Sequence, residues 1–306
     1  MARTPKKKAE VAGFPGRVVE IRGRRVLVRD DEGERVCFLS GNRAVVGDRV
    51  RWVDAPGSGG KVLSVDKRDT ELVRMDALGK HQVLAANLGG LLMVAAGTQP
   101  PLKGGLIDRY AVAAGICGLD FAVCINKVDL GVSEEAEAEI ALREDAGVTF
   151  LRTSVVSGVG MDALLDFLVK VSQDAPWALV GHSGVGKTSV IGALLPGYDV
   201  GEIGELSAHW GTGQHTTTSS RTFAIGDGGE VVDSPGIRTF APGGLEASDV
   251  RNHFPGMGGL GCRYRDCLHR VDEDGCVAEG EVAAPLLTSY RRLVGEILGI
   301  EARSKP

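Results

Sequence analysis

The sequence predicts a multidomain protein with a small N-terminal β-barrel, a central α/β domain and a C-terminal, cysteine-rich helical domain. Three observations predict it: short β-rich segments at the start, apolar strands alternating with helical stretches in the middle, and clustered cysteines near the end. A chain of 306 residues suits two or three domains. We place a basic, mobile tail at 1–12, the barrel at 13–74, the α/β domain at 75–244 and the C-terminal domain at 245–306.

The barrel prediction is based on five short strand candidates separated by turn signals such as "DDEG" and "APGSGG". These candidates are "GRVVEIRG", "RRVLVRDD", "ERVCFLSG", "GDRVRWVD" and "KVLSVDKR". Five strands in so short a segment fit a small closed barrel such as an OB-fold. An SH3-like barrel is the nearest alternative, and neither barrel by itself defines a function.

The central domain is predicted from a repeated pairing of an apolar strand with a helical stretch. The strand candidates are "LLMVAAG", "FAVCINK", "VTFLRTS" and "PWALVGHSG", and helical stretches follow each of them. Alternation at this spacing favours a parallel sheet covered by helices on both faces. A ligand is then expected at the carboxyl ends of the strands.

The charge of the chain is unevenly distributed. Residues 1–80 contain 18 Lys and Arg against 12 Asp and Glu, whereas the rest is acidic and brings the net charge to −5. A basic module on an acidic body is compatible with a phosphate-rich partner such as nucleic acid, and equally with a solvated basic surface. Charge alone does not decide between them.

No part of the sequence predicts membrane insertion. The start "MARTPKKKAE" has no apolar segment behind its basic patch, as a secretory signal would. The longest apolar stretch, "LGGLLMVAAG", is far shorter than the ~20 residues that span a bilayer. We therefore expect a cytoplasmic protein without a membrane partner, whose six cysteines are reduced or metal-bound rather than paired.

The segment "GHSGVGKTS" at 181–189 predicts a phosphate-binding loop. It matches the pattern G-x-x-x-x-G-K-[ST], with a strand before it and a helix after it, which makes a chance glycine-rich turn the weaker interpretation. Lys187 is expected to reach the β- and γ-phosphates, and Thr188 to bind Mg²⁺. The nucleotide-binding candidates here are Gly181, His182, Ser183, Gly184, Val185, Gly186, Lys187, Thr188 and Ser189.

The segment "NKVD" at 126–129 predicts which base is bound. Guanine presents two donors on one edge, and a single carboxylate such as that of Asp129 accepts both. Asn126 and the stem of Lys127 are expected to support the base. By itself the motif is weak because its residues are common in turns. "RTSVVSG" follows the next strand, and its Thr153 and Ser154 are expected to form a base-supporting loop.

Two further segments predict elements that respond to the γ-phosphate. "VVDSPG" supplies Asp233 for Mg²⁺ and the backbone N–H of Gly236 for the γ-phosphate. Between it and the phosphate loop lies "GTGQHTTTSSR", where a threonine would complete the Mg²⁺ shell. A solvated linker is the alternative interpretation of that polar segment.

These five motifs occur in an unusual order, because the base-reading segments precede the phosphate loop. Each lies at the end of a predicted strand or in the expected connecting loop. A circular permutation, which keeps the fold and moves the termini, accounts for the order.

The combination resembles the circularly permuted, ribosome small-subunit-dependent GTPase A (RsgA) family. "INKVDL", "GHSGVGKTS", "GTGQHTTT", "VVDSPGI", "LIDRYAVAA" and "CRYRDCLHRVDEDGC" carry the resemblance, which covers nearly the whole chain. It implies an N-terminal OB-fold, a central permuted GTPase and a C-terminal zinc domain. It also implies binding of GTP, GDP and the 30S subunit near the decoding region of its 16S rRNA, with subunit-stimulated hydrolysis triggering release. We expect the protein to be a monomer.

The catalytic residue is expected in the polar loop rather than after the D-x-x-G motif. The position that follows Gly236 is Ile237, which cannot orient water as a glutamine does. His215 is the polar candidate, and the resemblance supports it, although a lone histidine is more often a surface residue. Among the threonines, the resemblance favours Thr217 for Mg²⁺, with its two neighbours as alternatives.

The C-terminal cysteine cluster predicts a structural zinc site. Three thiolates and one imidazole fall within "CRYRDCLHRVDEDGC", and four such ligands form a closed tetrahedral Zn²⁺ site. The expected ligands are Cys262, Cys267, His269 and Cys276. Reduced structural cysteines are the alternative, and that is the expected state of the three other cysteines.

The leading hypothesis is a GTP-hydrolysing factor of small-subunit assembly. Two alternatives come from other functional classes. A metabolic phosphotransferase would have an acceptor pocket and no base-reading motif, and a non-catalytic, nucleotide-gated RNA-binding module would bind GTP without releasing phosphate.

Overall fold

A computed structural model describes residues 13–39, 41, 43–55, 59–75, 81–195, 220–233 and 244–304. For Met75 and residues 300–304 it describes the backbone alone. The strands are β1 Phe14–Arg22, β2 Arg25–Asp30, β3 Gly33–Leu39, β4 Arg49–Ala55, β5 Gly59–Val65, β6 Glu71–Met75, β7 His81–Ala86, β8 Gly90–Ala96, β9 Asp120–Asn126, β10 Thr149–Arg152, β11 Trp177–Val180, β12 Ser220–Ile225 and β13 Gly229–Asp233. The helices are α1 Gly104–Ile116, α2 Glu134–Asp145, α3 Met161–Val171, α4 Lys187–Leu194, α5 Ala247–His253, α6 Ala278–Glu281 and α7 Ala284–Ser304.

The first five strands form a closed barrel. They pair in the order β1-β2-β3-β5-β4, and β4 returns to pair with β1. Alternate residues of these strands, among them Val18, Val26 and Trp52, point inward and form a small apolar core. This closure confirms the predicted OB-like barrel.

The central domain contains a six-stranded section in the order β10-β9-β8-β11-β13-β12. All neighbours pair in parallel except β12, which is antiparallel to β13. Every residue of β8 is buried, as expected for a parallel strand covered on both faces. Two apolar cores lie on the two faces, and α1 contributes to one while α3 and α4 contribute to the other. The α/β prediction is confirmed.

Strands β6 and β7 form a separate two-stranded antiparallel sheet that the sequence analysis does not anticipate. The hairpin connects the barrel to the central domain. The proposed domain boundary after residue 74 falls within β6. The boundaries therefore stay proposals, and a division on either side of the hairpin would keep this sheet intact.

The barrel is joined to the central domain by backbone pairing and by a buried loop. Strand β1 pairs antiparallel with β12, so one hydrogen-bonded sheet runs through both domains. Val46, from the loop before β4, lies in the core of the central domain. A Cβ atom at Gly47, whose φ is +88°, would lie 2.0 Å from the Ala86 carbonyl oxygen, so this close approach requires glycine.

The C-terminal domain packs on α1 and α2. Val112 of α1 belongs to the same apolar cluster as residues of α5 and α7. Next to it, Arg143 forms a bidentate pair with Asp108, at 2.8 and 2.7 Å, and both side chains are almost fully buried. Ser289 of α7 donates a 2.6 Å hydrogen bond to the same carboxylate. Helix α1 therefore belongs to the cores of two domains.

Among the residues that the structure describes, none of the helices combines the length and the apolar character needed to cross a bilayer.

Candidate functional site

The phosphate loop connects β11 to α4 at the centre of the sheet. Gly181, Gly184 and Gly186 all have positive φ, at +132°, +84° and +94°. These values turn the backbone back on itself, which points successive N–H groups into one concave surface. A Cβ atom at Gly181 would lie 2.2 Å from the Val94 carbonyl oxygen of β8, so the loop lies too close to its neighbour for a larger residue. The geometry is that of a phosphate cradle at a helix N-terminus.

Lys187 directs its charge into this loop. Its Nζ donates to the carbonyl oxygens of Gly181 and His182, at 2.6 Å each, and the residue is 9% exposed. Thr188 and Ser189 follow Lys187 in the first turn of α4, which begins directly after the loop. The predicted phosphate-binding residues are therefore contiguous around one cradle.

The base-reading motif contacts the phosphate loop directly. Asn126, the last residue of β9, donates from Nδ2 to the Val185 carbonyl oxygen at 3.0 Å. Lys127 donates from Nζ to the Gly184 carbonyl oxygen at 2.6 Å. A Cβ atom at Gly186 would lie 2.5 Å from Asn126 Nδ2. Segments more than 50 residues apart in the chain are therefore in direct contact, as expected if "NKVD" and the phosphate loop belong to one site.

The base-supporting loop orients Asp129. Ser154 donates from Oγ to Asp129 Oδ1 at 2.5 Å, and the Ser157 N–H donates to Ser154 Oγ at 3.1 Å. Thr153 and Ser154 are fully buried, whereas Asp129 is exposed. The Thr153 N–H also donates to the Ile125 carbonyl oxygen at 2.8 Å, which fixes the loop to β9. Both predicted base-site segments therefore converge on one exposed carboxylate.

The predicted Mg²⁺ ligands lie at the same edge of the sheet. Asp233 ends β13, which pairs in parallel with β11 through Val232 and Ala178. The carboxyl ends of parallel neighbours meet, so Asp233 lies beside the strand that leads to Thr188. Carboxylate and hydroxyl oxygens are the ligands that Mg²⁺ prefers, and this donor set fits that ion. His215, Thr217 and Gly236 lie outside the described residues.

Tyr110 of α1 is a contact of the phosphate loop to which the sequence analysis gives no role. It is 3% exposed, and its hydroxyl forms a hydrogen bond with the Gly181 backbone. Burial raises the pKa of Tyr110 to about 12, so the hydroxyl stays neutral at physiological pH. The signal is in "LIDRYAVAA", where a tyrosine occupies an otherwise apolar helix face and its hydroxyl needs a partner.

The four C-terminal cysteine and histidine ligands converge on one point. His269 Nδ1 lies 3.4, 3.5 and 3.5 Å from the three sulfur atoms, and Cys262 Sγ lies 4.0 Å from Cys276 Sγ. A tetrahedral zinc with Zn–S of about 2.3 Å and Zn–N of about 2.05 Å separates its sulfurs by about 3.8 Å and a sulfur from the nitrogen by about 3.6 Å. All four ligand atoms lie within 4.8 Å of one another. The donor set and its spacing fit Zn²⁺.

Local backbone and burial favour a metal at this cluster. His269 has a φ of +52°, an uncommon conformation for a non-glycine residue, and its carbonyl oxygen accepts a 2.7 Å hydrogen bond from Arg291 of α7. Burial lowers the pKa of His269, which keeps the ring neutral for coordination. Burial raises the pKa of the Cys267 thiol to about 12, and coordination to a metal would hold it as a thiolate.

Comparison with known proteins identifies the family of this chain. The family model described as RsgA GTPase matches residues 65–242, which is more than half of the chain. The chain belongs to the RsgA GTPase family. It is 37% identical over 302 residues to a protein of Azotobacter vinelandii named "Small ribosomal subunit biogenesis GTPase RsgA", covering 92% of this chain and 85% of that protein. A Pseudomonas fluorescens protein of the same name is 35% identical with the same coverage.

Two crystal structures resemble this RsgA-family chain over nearly its full length. YjeQ from Thermotoga maritima superimposes with a TM-score of 0.74 at 27% identity, covering 93% of this chain and 98% of YjeQ. YloQ, described as a circularly permuted GTPase, gives a TM-score of 0.71 at 21% identity and supports the fold. The predicted family, the permuted fold and GTP hydrolysis are confirmed, which disfavours the phosphotransferase and non-catalytic alternatives.

Asp129→Asn is expected to change the base preference of this RsgA-family GTPase. An amide cannot accept both guanine donors, but its N–H₂ group can donate to the oxygen that replaces the 2-amino group in xanthine. Loss of a charge-assisted pair predicts a GTP affinity that is lower by about 100-fold, and a gain of xanthosine triphosphate binding. Equilibrium titrations with both nucleotides test it, with Asp120→Asn at the exposed start of β9 as the control. Unchanged GTP affinity would remove Asp129 from base recognition.

Proposed function

We propose that this chain is a late assembly factor of the small (30S) ribosomal subunit, acting as a monomer in the cytoplasm. It binds 16S rRNA near the decoding region, and the subunit stimulates GTP hydrolysis, which triggers release. The observation that carries the proposal is the match to relatives named as small-subunit biogenesis GTPases across all three domains. The nucleotide site described above supplies the chemistry that such a role requires.

In this proposal the predicted site residues divide between nucleotide binding and hydrolysis. The glycine-rich cradle and Lys187 hold the β- and γ-phosphates, and Asp129 reads guanine with support from Ser154. Thr188, Thr217 and Asp233 would hold Mg²⁺, which neutralises charge that develops on the phosphate oxygens. His215 orients the attacking water, and the Gly236 N–H senses the γ-phosphate.

The flanking domains supply the contacts with the subunit. At the barrel tip between β1 and β2, Arg22, Arg24 and Arg25 are exposed, and the Arg25 guanidinium lies 5.5 Å from the centre of the Phe38 ring. Cationic and aromatic groups side by side suit a nucleic-acid backbone and its bases. In the C-terminal domain, Cys262, Cys267, His269 and Cys276 would hold a structural Zn²⁺ ion, which would stabilise a second contact surface.

The proposal is tested by GTP hydrolysis with and without purified 30S subunits. We expect slow hydrolysis by the chain alone and stimulation of about tenfold or more by 30S, because a partner positions the catalytic loop. Isolated 50S subunits are the matched control. Equal rates with 30S, 50S and buffer would contradict the proposed function.

His215→Ala should keep GTP affinity and lose most of the rate that 30S subunits stimulate. Full stimulation of this variant would remove His215 from the mechanism.

A further inference from the structure

Three charged residues form a row across the junction between barrel and GTPase domain. Strand β1 pairs with β12 so that Glu20 lies opposite Arg221. Strand β12 pairs with β13 so that Arg221 lies opposite Asp233. Residues directly opposite each other in a sheet project from the same face with Cβ atoms about 5 Å apart. The row therefore alternates acid, base and acid, and it ends at the carboxylate expected to serve Mg²⁺.

The arginine of this row is held by the barrel. Arg221 and Glu20 form an ion pair with a nitrogen-to-oxygen distance of 3.5 Å. The Glu20 side chain is only 6% exposed and also pairs with Arg22, whereas the Arg221 side chain is 41% exposed. A buried carboxylate is stabilised by nearby cations, so the attraction to Glu20 favours a position of the Arg221 guanidinium on the barrel side.

A guanidinium released from Glu20 has an alternative partner one strand away. Arginine binds carboxylates in a planar, often bidentate arrangement, and it would occupy the oxygens through which Asp233 serves the metal. We propose that Glu20 holds Arg221 away from Asp233, so that the barrel sets the Mg²⁺ affinity of the nucleotide site. Arg221 and Glu20 are positioning residues in this scheme, which rests on the proposed role of Asp233.

The same junction offers a matched control. Glu230 of β13 pairs with Arg17 of β1 and with Arg29 of β2, the latter at 2.5 Å. It thus crosses from the GTPase domain to the barrel as the Glu20–Arg221 pair does. Because it is three residues from Asp233 along the strand, its side chain projects from the opposite face. Glu230→Gln loosens the junction without releasing a cation next to Asp233.

The experiment measures binding of a fluorescent, non-hydrolysable GTP analogue to the full chain while Mg²⁺ is titrated. Glu20→Gln is expected to raise the half-saturating Mg²⁺ concentration by about threefold or more, because the freed guanidinium competes for the carboxylate. Arg221→Gln is expected to leave it at or below the wild-type value. The double variant should return to within about twofold of wild type, and Glu230→Gln should match wild type. A purely structural role for the pair would shift both single variants in the same direction.

The outcomes separate this inference from the function on which it rests. Asp233→Asn should itself raise the Mg²⁺ requirement and abolish any further effect of Glu20→Gln. If Asp233→Asn has no effect, the proposed Mg²⁺ site is wrong and the inference falls with it. If Asp233→Asn raises the Mg²⁺ requirement but Glu20→Gln does not, only the inference is overturned. The same holds if Glu230→Gln raises the Mg²⁺ requirement as much as Glu20→Gln does. If Glu20→Gln does not fold, Arg221→Gln provides the test, because Glu20 still pairs with Arg22 in that variant. A raised Mg²⁺ requirement of Arg221→Gln would then overturn the inference.

Discussion

Lys187→Ala is expected to reduce GTP hydrolysis by about 10³-fold or more. The ammonium is the cation that the described phosphate loop directs into its own concave surface, through bonds to two loop carbonyl oxygens. Its removal leaves phosphate charge without its fixed counterion in a site where such charges act strongly. Single-turnover hydrolysis at saturating Mg²⁺, with and without 30S subunits, measures the loss.

Lys170→Ala provides the control for this prediction. Lys170 lies in the last turn of α3, away from the phosphate loop, and the change removes the same charge. Comparable melting temperatures for both variants would show that the loss is local. If Lys187→Ala kept hydrolysis within about tenfold of wild type, the cradle would not be the phosphate site.

Removal of the proposed zinc is expected to unfold the segment that contains its ligands. Cys267→Ser replaces a buried thiol, and a hydroxyl is a poor ligand for zinc, so the variant should not bind the proposed ion. Structural zinc sites contribute apparent folding free energies of about 10–16 kcal/mol in small peptides at neutral pH. We expect lower protection from proteolysis between α5 and α7 and loss of subunit binding, with nucleotide binding preserved.

Metal analysis and limited proteolysis of the purified protein check this outcome. Cys117→Ser is the matched control, because Cys117 lies at the end of α1 outside the cluster. Wild type and control should both contain one equivalent of zinc. A Cys267→Ser protein that retained the metal, or a wild type that contained none after preparation without chelators, would refute the zinc assignment.

The sequence predicts this site well where chemistry depends on a short local pattern. The phosphate loop and "NKVD" are each contiguous and follow apolar strands, so both the motifs and their positions at strand ends can be predicted from the sequence. Their contact, from Asn126 to Val185, could be inferred because parallel strands bring their carboxyl ends together. The zinc ligands are equally local, since all four lie within one short segment.

Features that depend on the pairing of distant segments cannot be predicted from the sequence. The hairpin of β6 and β7 consists of two short, mixed segments whose pattern resembles loop as much as strand. Glu20 and Arg221 are 201 positions apart, and each looks like an ordinary surface charge until the β1–β12 register is known. Likewise, Asp108 and Arg143 resemble ordinary surface charges on helices in the sequence, although tertiary packing buries both side chains almost fully.

The permutation also determines where the flanking domains attach to the GTPase sheet. The chain enters the sheet through β8 and leaves it through β13, and both strands are hydrogen-bonded to β11. Neighbouring strands are about 4.8 Å apart, so the chain segments that lead to the barrel and to the C-terminal domain each leave the sheet one strand away from the strand that carries the phosphate loop. An unpermuted order would place one tether at the sheet margin. A force on either of these chain connections would therefore act on a strand next to the one that carries the phosphate loop.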